Sequence, residues 1–129
     1  PRMEQAHAGR AALPAAFNQV HARCDVLLAP TGRTLPPPLG ELAPGRGFDS
    51  LLPAMFEWIS YTPLQNLAGT PAISLPLGHR DGLPVGMQFA ADRGQEPLLL
   101  QLAAELEQAA PWRDRWPAVS VASALDQPH

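Results

Sequence analysis

Proline and glycine occur along most of this sequence, which limits the length of the helices and strands that it can form. The 129 residues include 16 prolines and 10 glycines, about a fifth of the chain. Because both residues break helices and strands, regular structure must come in short pieces joined by loops. At 46% hydrophobic and 16% charged residues, the composition is still that of a globular protein with a core. The length suits one domain.

Two elements are predicted in the first thirty residues. Apolar residues at helical spacing follow a proline suited to a first helical turn: they are Phe17, Val20 and Cys24, after Pro14. This spacing predicts a helix over 14–24, or a longer one that starts near Met3. The apolar run from Val26 to Ala29, closed by Pro30, is typical of a strand buried on both faces. Such a strand favours an α/β fold.

The middle of the chain predicts a loop and then a broken helix. Residues 32–48 contain four glycines and four prolines, so they predict an irregular loop. Asp49 or Ser50 is a suitable cap for the helix that follows. The sequence Tyr61-Thr62-Pro63 interrupts this helix, and one further turn should end at Gly69, a good helix terminator.

The second half predicts two neighbouring strands and a final helix. Residues 72–75 form a short apolar run framed by prolines, and residues 85–89 alternate as a strand does. The turn signal Asp81-Gly82 separates these runs, so we expect the two strands to be neighbours. An apolar stripe then predicts a helix that begins near Pro97 and stops at Pro111.

Charge and composition argue against several classes of function. The net charge is −3 and all nine cationic residues are scattered arginines, so neither a nucleic acid nor a membrane is an expected partner. No apolar stretch reaches the roughly 18 residues of a membrane span, and the N-terminus lacks the apolar core of a signal peptide. We therefore expect a cytoplasmic protein. The single cysteine, Cys24, excludes an internal disulfide, which agrees with a reducing compartment. The lack of lysine excludes a lysine base, and the lack of an initial methionine suggests a fragment or processed product.

Four stretches, in this order and at this spacing, resemble the C-terminal region of the amidase-signature family. They are Asp25–Thr31, Tyr61–Pro76, Asp81–Phe89 and Leu98–Trp112. The second reads YTPLQNLAGTPAISLP and the third DGLPVGMQF, and a composite pattern of this length is specific. The resemblance implies an α/β fold in which helices cover a mixed sheet, with long Pro/Gly-rich loops. Residues 1–112 would be the C-terminal part of that domain and 113–129 an irregular tail.

The resemblance also implies hydrolysis of amide bonds by a serine, a second serine with a cis peptide bond and a neutral lysine. Those residues belong to the family's N-terminal half. A Gly-Ser-Ser segment and lysine are both absent here, so we assign no catalytic residue to this chain. We expect no metal and no cofactor. The expected substrate is a small-molecule amide, and the expected role of this chain is that of scaffold and pocket wall. Whether the protein forms a homo-oligomer is left open. The alternative is a non-catalytic structural or binding remnant of the fold.

Six residues are candidates for the substrate-pocket wall, because the family's Pro-Thr loop and the segment before its NLxG motif lie near the substrate. They are Pro30, Thr31, Trp58, Ile59, Tyr61 and Thr62. The relatives that use glutamine carry an acidic residue three positions before the matching threonine, where this chain has Ile59. Because isoleucine cannot hold the amino group of glutamine, the resemblance favours a hydrophobic acyl or aryl amide.

Two groups of side chains could carry chemistry of their own: Ser74 with His79 and Asp81, and Cys24 with His21 and Asp25. Ser74 falls in a strand predicted to be buried and lacks the sharp turn that exposes a nucleophilic serine, which argues against a triad. Cys24 could belong to a thiol–base pair or a metal site. A lone cysteine on an apolar helix face is, however, more often a small buried hydrophobe, and a zinc site needs more ligands than this segment offers.

The polar and aromatic residues around the broken helix also allow two interpretations. Asn66 could bind substrate, but it is more typical of an asparagine that satisfies nearby backbone groups. Phe56, Trp58 and Tyr61 fit either the wall of a pocket or the core.

Overall fold

The computed structural model describes residues 2–43, 45, 47–117 and 119–120. In chain order its elements are α1 (Arg2–His21), β1 (Val26–Pro30), α2 (Phe48–Trp58), α3 (Thr62–Ala68), β2 (Ala72–Arg80), β3 (Leu83–Ala91) and α4 (Glu96–Ala109). This mixture of helices and strands confirms the predicted α/β class. Helix α1, with 20 residues, is longer than the short pieces that the proline and glycine content predicts. Residues 31–43 contain no helix or strand, as the proline and glycine content of this stretch predicts.

The three strands form one sheet in the order β1-β3-β2, and both pairings are antiparallel. The predicted neighbours β2 and β3 are a hairpin in which Arg80 pairs with Leu83. Its turn residues Asp81 and Gly82 have φ angles of 55° and 77°, which a tight two-residue hairpin turn requires. In the part that the structure describes, the sheet is antiparallel.

Helix α4 covers one face of the β2–β3 hairpin and forms the core with it. Leu99 of α4 is 3% exposed and packs with Leu75, Phe89 and Ala91. Pro97 lies in the first turn of α4, where its missing N–H is not needed. The helix ends at Ala109, before Pro111, as predicted.

Strand β1 is not buried on both faces, so that prediction was wrong. Leu28 is 60% exposed although it pairs with the buried Phe89. The reason is that β1 is an edge strand, and α4 packs against β2 and β3 instead. Ser74 of β2, also predicted to be buried, is exposed.

The first helix follows the longer of the two predicted alternatives. It begins at Arg2, so Pro14 lies inside α1 rather than in its first turn. A proline there removes one backbone hydrogen bond from the helix. Helix α1 packs against α3, and Phe17 and His21 are among its partly buried residues.

The ends of α2 and α3 show one wrong and one correct prediction. Gly47 occupies the position before α2 and no side chain caps it, so neither Asp49 nor Ser50 is the cap; the Ser50 hydroxyl donates to the Gly47 carbonyl instead. Helix α3 ends as predicted at Gly69, whose φ of 70° suits glycine. The Arg93 guanidinium donates to the Ala68 carbonyl over 2.6 Å and so supports this end of the helix.

After α4 the chain folds back over the hairpin without forming a helix or strand over 111–117. Trp112 packs against the core, and Arg115 Nη1 lies 3.3 Å from His79 Nδ1. Residues 121–129 of the predicted tail lie outside the described residues. Among the helices that the structure describes, none is long and apolar enough to cross a membrane.

Candidate functional site

A cleft of about 460 Å³ opens where the chain leaves the sheet at the end of β1. It is lined by residues of the Pro-Thr loop, α2 and the hairpin: Pro30, Thr31, Gly32, Arg33, Thr34, Leu35, Pro36, Trp58, Arg80, Pro84, Val85, Gly86 and Met87. The wall is largely apolar, with two arginines and two threonines as its polar side chains. A cleft of this size and composition can hold a small, mainly apolar molecule.

Two hydroxyl groups meet beside this cleft across the middle strand. Thr31 Oγ1 and Ser74 Oγ are 2.5 Å apart and belong to segments on opposite sides of β3. Between them lies Gly86, whose carbonyl accepts a hydrogen bond from the Thr31 N–H over 2.9 Å. A Cβ at Gly86 would lie 2.9 Å from Thr31 Oγ1 and 3.3 Å from Ser74 Oγ, so only glycine leaves room for this pair.

Trp58 and the loop after Thr31 hold each other in place. The Arg33 N–H donates to the Trp58 carbonyl over 2.9 Å, and the Arg33 guanidinium forms an ion pair with Glu57 at 2.6 Å. The indole nitrogen of Trp58 is buried next to Gly32 and makes no hydrogen bond within the described residues. The start of the irregular loop is therefore fastened to the C-terminal end of α2.

The six predicted wall residues fall into two groups. Pro30, Thr31 and Trp58 line the cleft together, whereas Ile59, Tyr61 and Thr62 lie at the junction of α2 and α3, outside the lining of that cleft.

At this junction the chain turns tightly between the two helices. Ile59 ends α2, and its carbonyl accepts hydrogen bonds from the backbone N–H and the hydroxyl of Thr62. Tyr61 is exposed just before α3. The junction is thus built by local hydrogen bonds that leave the Tyr61 ring exposed.

The competing chemical interpretations find little geometric support. The Ser74 hydroxyl meets Thr31, and His79 Nδ1 faces Arg115, so the described hydrogen bonds do not link Ser74, His79 and Asp81. Within the part of the chain described, no group of three His, Cys, Asp or Glu side chains could hold a metal ion.

The remaining candidates lie at the surface or have structural contacts. Cys24 is partly buried and its thiol donates to the Val20 carbonyl at 3.5 Å. Asn66 is exposed within α3. Phe56 and Tyr61 are exposed as well, so they do not form core, and of the aromatic cluster only Trp58 lines the cleft.

Sequence reasoning missed the part that Ser74 and Gly86 play beside the cleft. A glycine in the middle of an alternating strand was the available signal, because such a residue often marks the close approach of another group. Ser74 carried no comparable signal, since its meeting with Thr31 depends on the pairing of three strands.

Comparison with known proteins identifies the family. Residues 2–100 match the Amidase family model. AmiC of Mycobacterium tuberculosis, which is named as an amidase, is 52% identical over 68% of this chain and 19% of its own length. The 6-aminohexanoate-cyclic-dimer hydrolase of a Pseudomonas species is 42% identical over 72% of this chain and 20% of its own length.

Solved structures agree with these sequence matches. A 6-aminohexanoate cyclic dimer hydrolase complexed with substrate superposes with a TM-score of 0.68 and 36% identity, over 80% of this chain and 23% of that chain. A glutamyl-tRNA(Gln) amidotransferase subunit of Thermotoga maritima gives a TM-score of 0.72 at 28% identity, over 87% and 23%. The chain thus spans about a fifth of the length of the relatives it matches. It belongs to the amidase-signature family and covers part of that family's fold.

Proposed function

We propose that this chain is the C-terminal scaffold and substrate-pocket wall of an amidase that hydrolyses carbon–nitrogen bonds. The observation that carries the proposal is the cleft in which Pro30, Thr31 and Trp58 meet. The chain that forms this cleft belongs to the amidase-signature family. A pocket wall needs rigid support, and the loop is fastened to α2 by the Arg33 hydrogen bond and ion pair.

The catalytic groups in this proposal lie in the rest of the protein, because this sequence has no lysine and no Gly-Ser-Ser segment. There a serine oxygen attacks the amide carbonyl, and its proton passes through a second serine to a neutral lysine and then to the leaving nitrogen. Water then releases the acyl group. The residues of this chain bind and orient the acyl part and keep bulk water away from it. Its single cysteine fits a cytoplasmic location.

The substrate proposed is a small amide with an uncharged acyl or aryl group. The six wall residues proposed are Pro30, Thr31, Trp58, Ile59, Tyr61 and Thr62. Among the relatives one is a hydrolase of 6-aminohexanoate cyclic dimer and another belongs to an amidotransferase. Ile59 favours a substrate of the first kind, because burying an ammonium group against an isoleucine would leave a charge unpaired.

The test uses the full-length protein and compares kcat/KM for an aryl amide and for glutamine. The variant Ile59→Asp should lose about 1 to 3 kcal/mol of transition-state binding for the aryl amide, while glutamine hydrolysis gains relative to it. Leu64→Asp, which places the same charge on a more exposed leucine of α3, is the matched control. An unchanged ratio of the two constants would show that Ile59 does not line the pocket. A full-length protein that hydrolyses no amide would contradict the proposed function itself.

The second candidate function is a non-catalytic structural or binding remnant of the same fold. The missing lysine and Gly-Ser-Ser segment favour it for this polypeptide in isolation. The genomic sequence upstream of Pro1 separates the two: an open frame that encodes a lysine and a Gly-Ser-Ser segment supports the amidase, and a stop codon supports the remnant.

A further inference from the structure

The Thr31 and Ser74 hydroxyls form a pair whose hydrogen-bonding capacity is not fully used within the described residues. Each hydroxyl has one proton to donate and two lone pairs to accept with. Their mutual hydrogen bond of 2.5 Å uses one proton, and neither hydroxyl makes another hydrogen bond within the described residues. Because the contact is exposed rather than buried, the pair presents one O–H and free lone pairs to whatever lies beside it.

The hydroxyl pair is held in a defined position. Thr31 is fixed by its backbone hydrogen bond to Gly86, and Ser74 by the pairing of β2 with β3. The two hydroxyls occupy the space that a Cβ at Gly86 would take, so they lie close against the sheet. Because the hydroxyls are already held in place, they need little reorganisation to bind a ligand group.

The neighbouring charges favour a neutral ligand group. Arg33 is paired with Glu57 at 2.6 Å, and Arg80 has Asp81 at 3.9 Å, so both arginines of the cleft have an acidic partner. The groups that remain available for recognition are the hydroxyl pair and an apolar wall that includes Val85 and Met87. A neutral amide matches this arrangement because its carbonyl accepts from the free O–H and its N–H donates to a hydroxyl lone pair.

We propose that Thr31 and Ser74 bind a second, uncleaved amide group of the substrate, which is joined by an apolar linker to the amide that is hydrolysed. This assignment rests on the proposed function, and it specifies that the substrates of the proposed amidase are diamides. The linker lies along the apolar wall of the cleft. The scissile amide then projects toward the catalytic groups in the rest of the protein.

The experiment compares two six-carbon substrates of the full-length protein, hexanamide with one amide and adipamide with two. Loss of one neutral hydrogen bond should reduce the adipamide-to-hexanamide ratio of kcat/KM about two- to tenfold in Ser74→Ala and in Thr31→Val. The change should lie in KM, since the second amide is bound equally in the ground state and the transition state. Thr31→Ser keeps the hydroxyl and should keep the ratio.

The outcomes separate this assignment from the proposed function. Hexanamide turnover tests whether the protein is an amidase, and the ratio tests the hydroxyl pair. If wild type does not prefer adipamide, or if the variants lower both rates equally, the assignment is wrong and the amidase stands. If neither amide is hydrolysed, the assignment fails, and the proposed function fails with it when the aryl amide is not hydrolysed either. The control is Ser50→Ala, because Ser50 lies in the first turn of α2 and does not line the cleft. If the Ser74→Ala variant does not fold, the comparison of Thr31→Val with Thr31→Ser tests the assignment in its place.

Discussion

The two halves of this chain differ in how much of their apolar surface they bury. Every fully buried residue that the structure describes lies at or after Ala68, in the part that contains β2, β3 and α4. Before Ala68, the described parts of α1, β1 and α2 contain no fully buried residue, and Leu28, Phe48 and Phe56 are exposed. The second half therefore builds its own core, while the first half leaves apolar surface exposed, which is what the proposed pocket wall requires.

The core of the second half gives the largest expected effect. Leu99→Ala should lower the free energy of unfolding by about 2 to 5 kcal/mol, because it leaves a cavity among Leu75, Phe89 and Ala91. Leu100→Ala, in the same helix at 64% exposure, should change it by less than about 0.5 kcal/mol. Urea unfolding of the 129-residue chain, followed by circular dichroism at low protein concentration, measures both. Equal effects would mean that α4 does not pack as described.

The open first half predicts that the isolated chain associates with itself. Edge strand β1 and the exposed Leu28 offer both hydrogen-bonding groups and apolar surface. We expect binding of a hydrophobic dye and a mass above that of the monomer in analytical ultracentrifugation. Leu28→Lys should reduce association, and Leu100→Lys on the outer side of α4 should reduce it less. A sharp, dye-free monomer with a cooperative melt would show instead that the chain is a complete domain.

Substitutions of two glycines in the hairpin test the contact between the two halves, in which Thr31 packs over β3. Gly86→Ala should destabilise the protein by about 1 to 3 kcal/mol, because the new Cβ would lie 2.9 Å from Thr31 Oγ1. Gly78→Ala is the matched control in the neighbouring strand, where the Cβ would meet only Val85 at an ordinary 3.5 Å. It should be neutral or slightly stabilising. If thermal melts of the full-length variants show no difference, Thr31 does not pack over β3.

The ion pair that fastens the cleft loop should have the smallest effect. Arg33 and Glu57 are both more than half exposed, so Glu57→Gln should change the free energy of unfolding by less than about 1 kcal/mol. The change should shrink further as salt is added, because salt screens exposed charges. Denaturation of the full-length protein at low and high ionic strength measures it. A loss above about 2 kcal/mol would place the pair in a buried environment and contradict the exposure of this loop.

Local signals predicted the parts of the fold that local chemistry determines. The hairpin follows from Asp81-Gly82 between alternating runs, and the end of α3 follows from Gly69. Burial was predicted less well. The apolar run of β1 indicated a doubly buried strand, but a sequence pattern does not tell whether the covering elements lie in the same chain.

The candidate site was predictable only in part for a related reason. The resemblance indicated Pro30, Thr31 and Trp58, and the structure brings these three to one cleft. The meeting of Thr31 with Ser74 over Gly86 depends on the register of three strands, and β1 is far in sequence from the β2–β3 hairpin. Local patterns determine faces within a strand, whereas cross-strand partners depend on the whole sheet.

Labelling with a serine-reactive fluorophosphonate tests the central claim most directly, because it asks which polypeptide carries the nucleophile. The 129-residue chain and the full-length protein are treated in parallel, and mass spectrometry locates the label while amide turnover is followed. We expect the five serines of this chain to remain unlabelled. We expect the full-length protein to be labelled at one serine outside this chain, with loss of turnover. Stoichiometric labelling of Ser74 in the 129-residue chain, together with amide hydrolysis by that chain, would contradict the account.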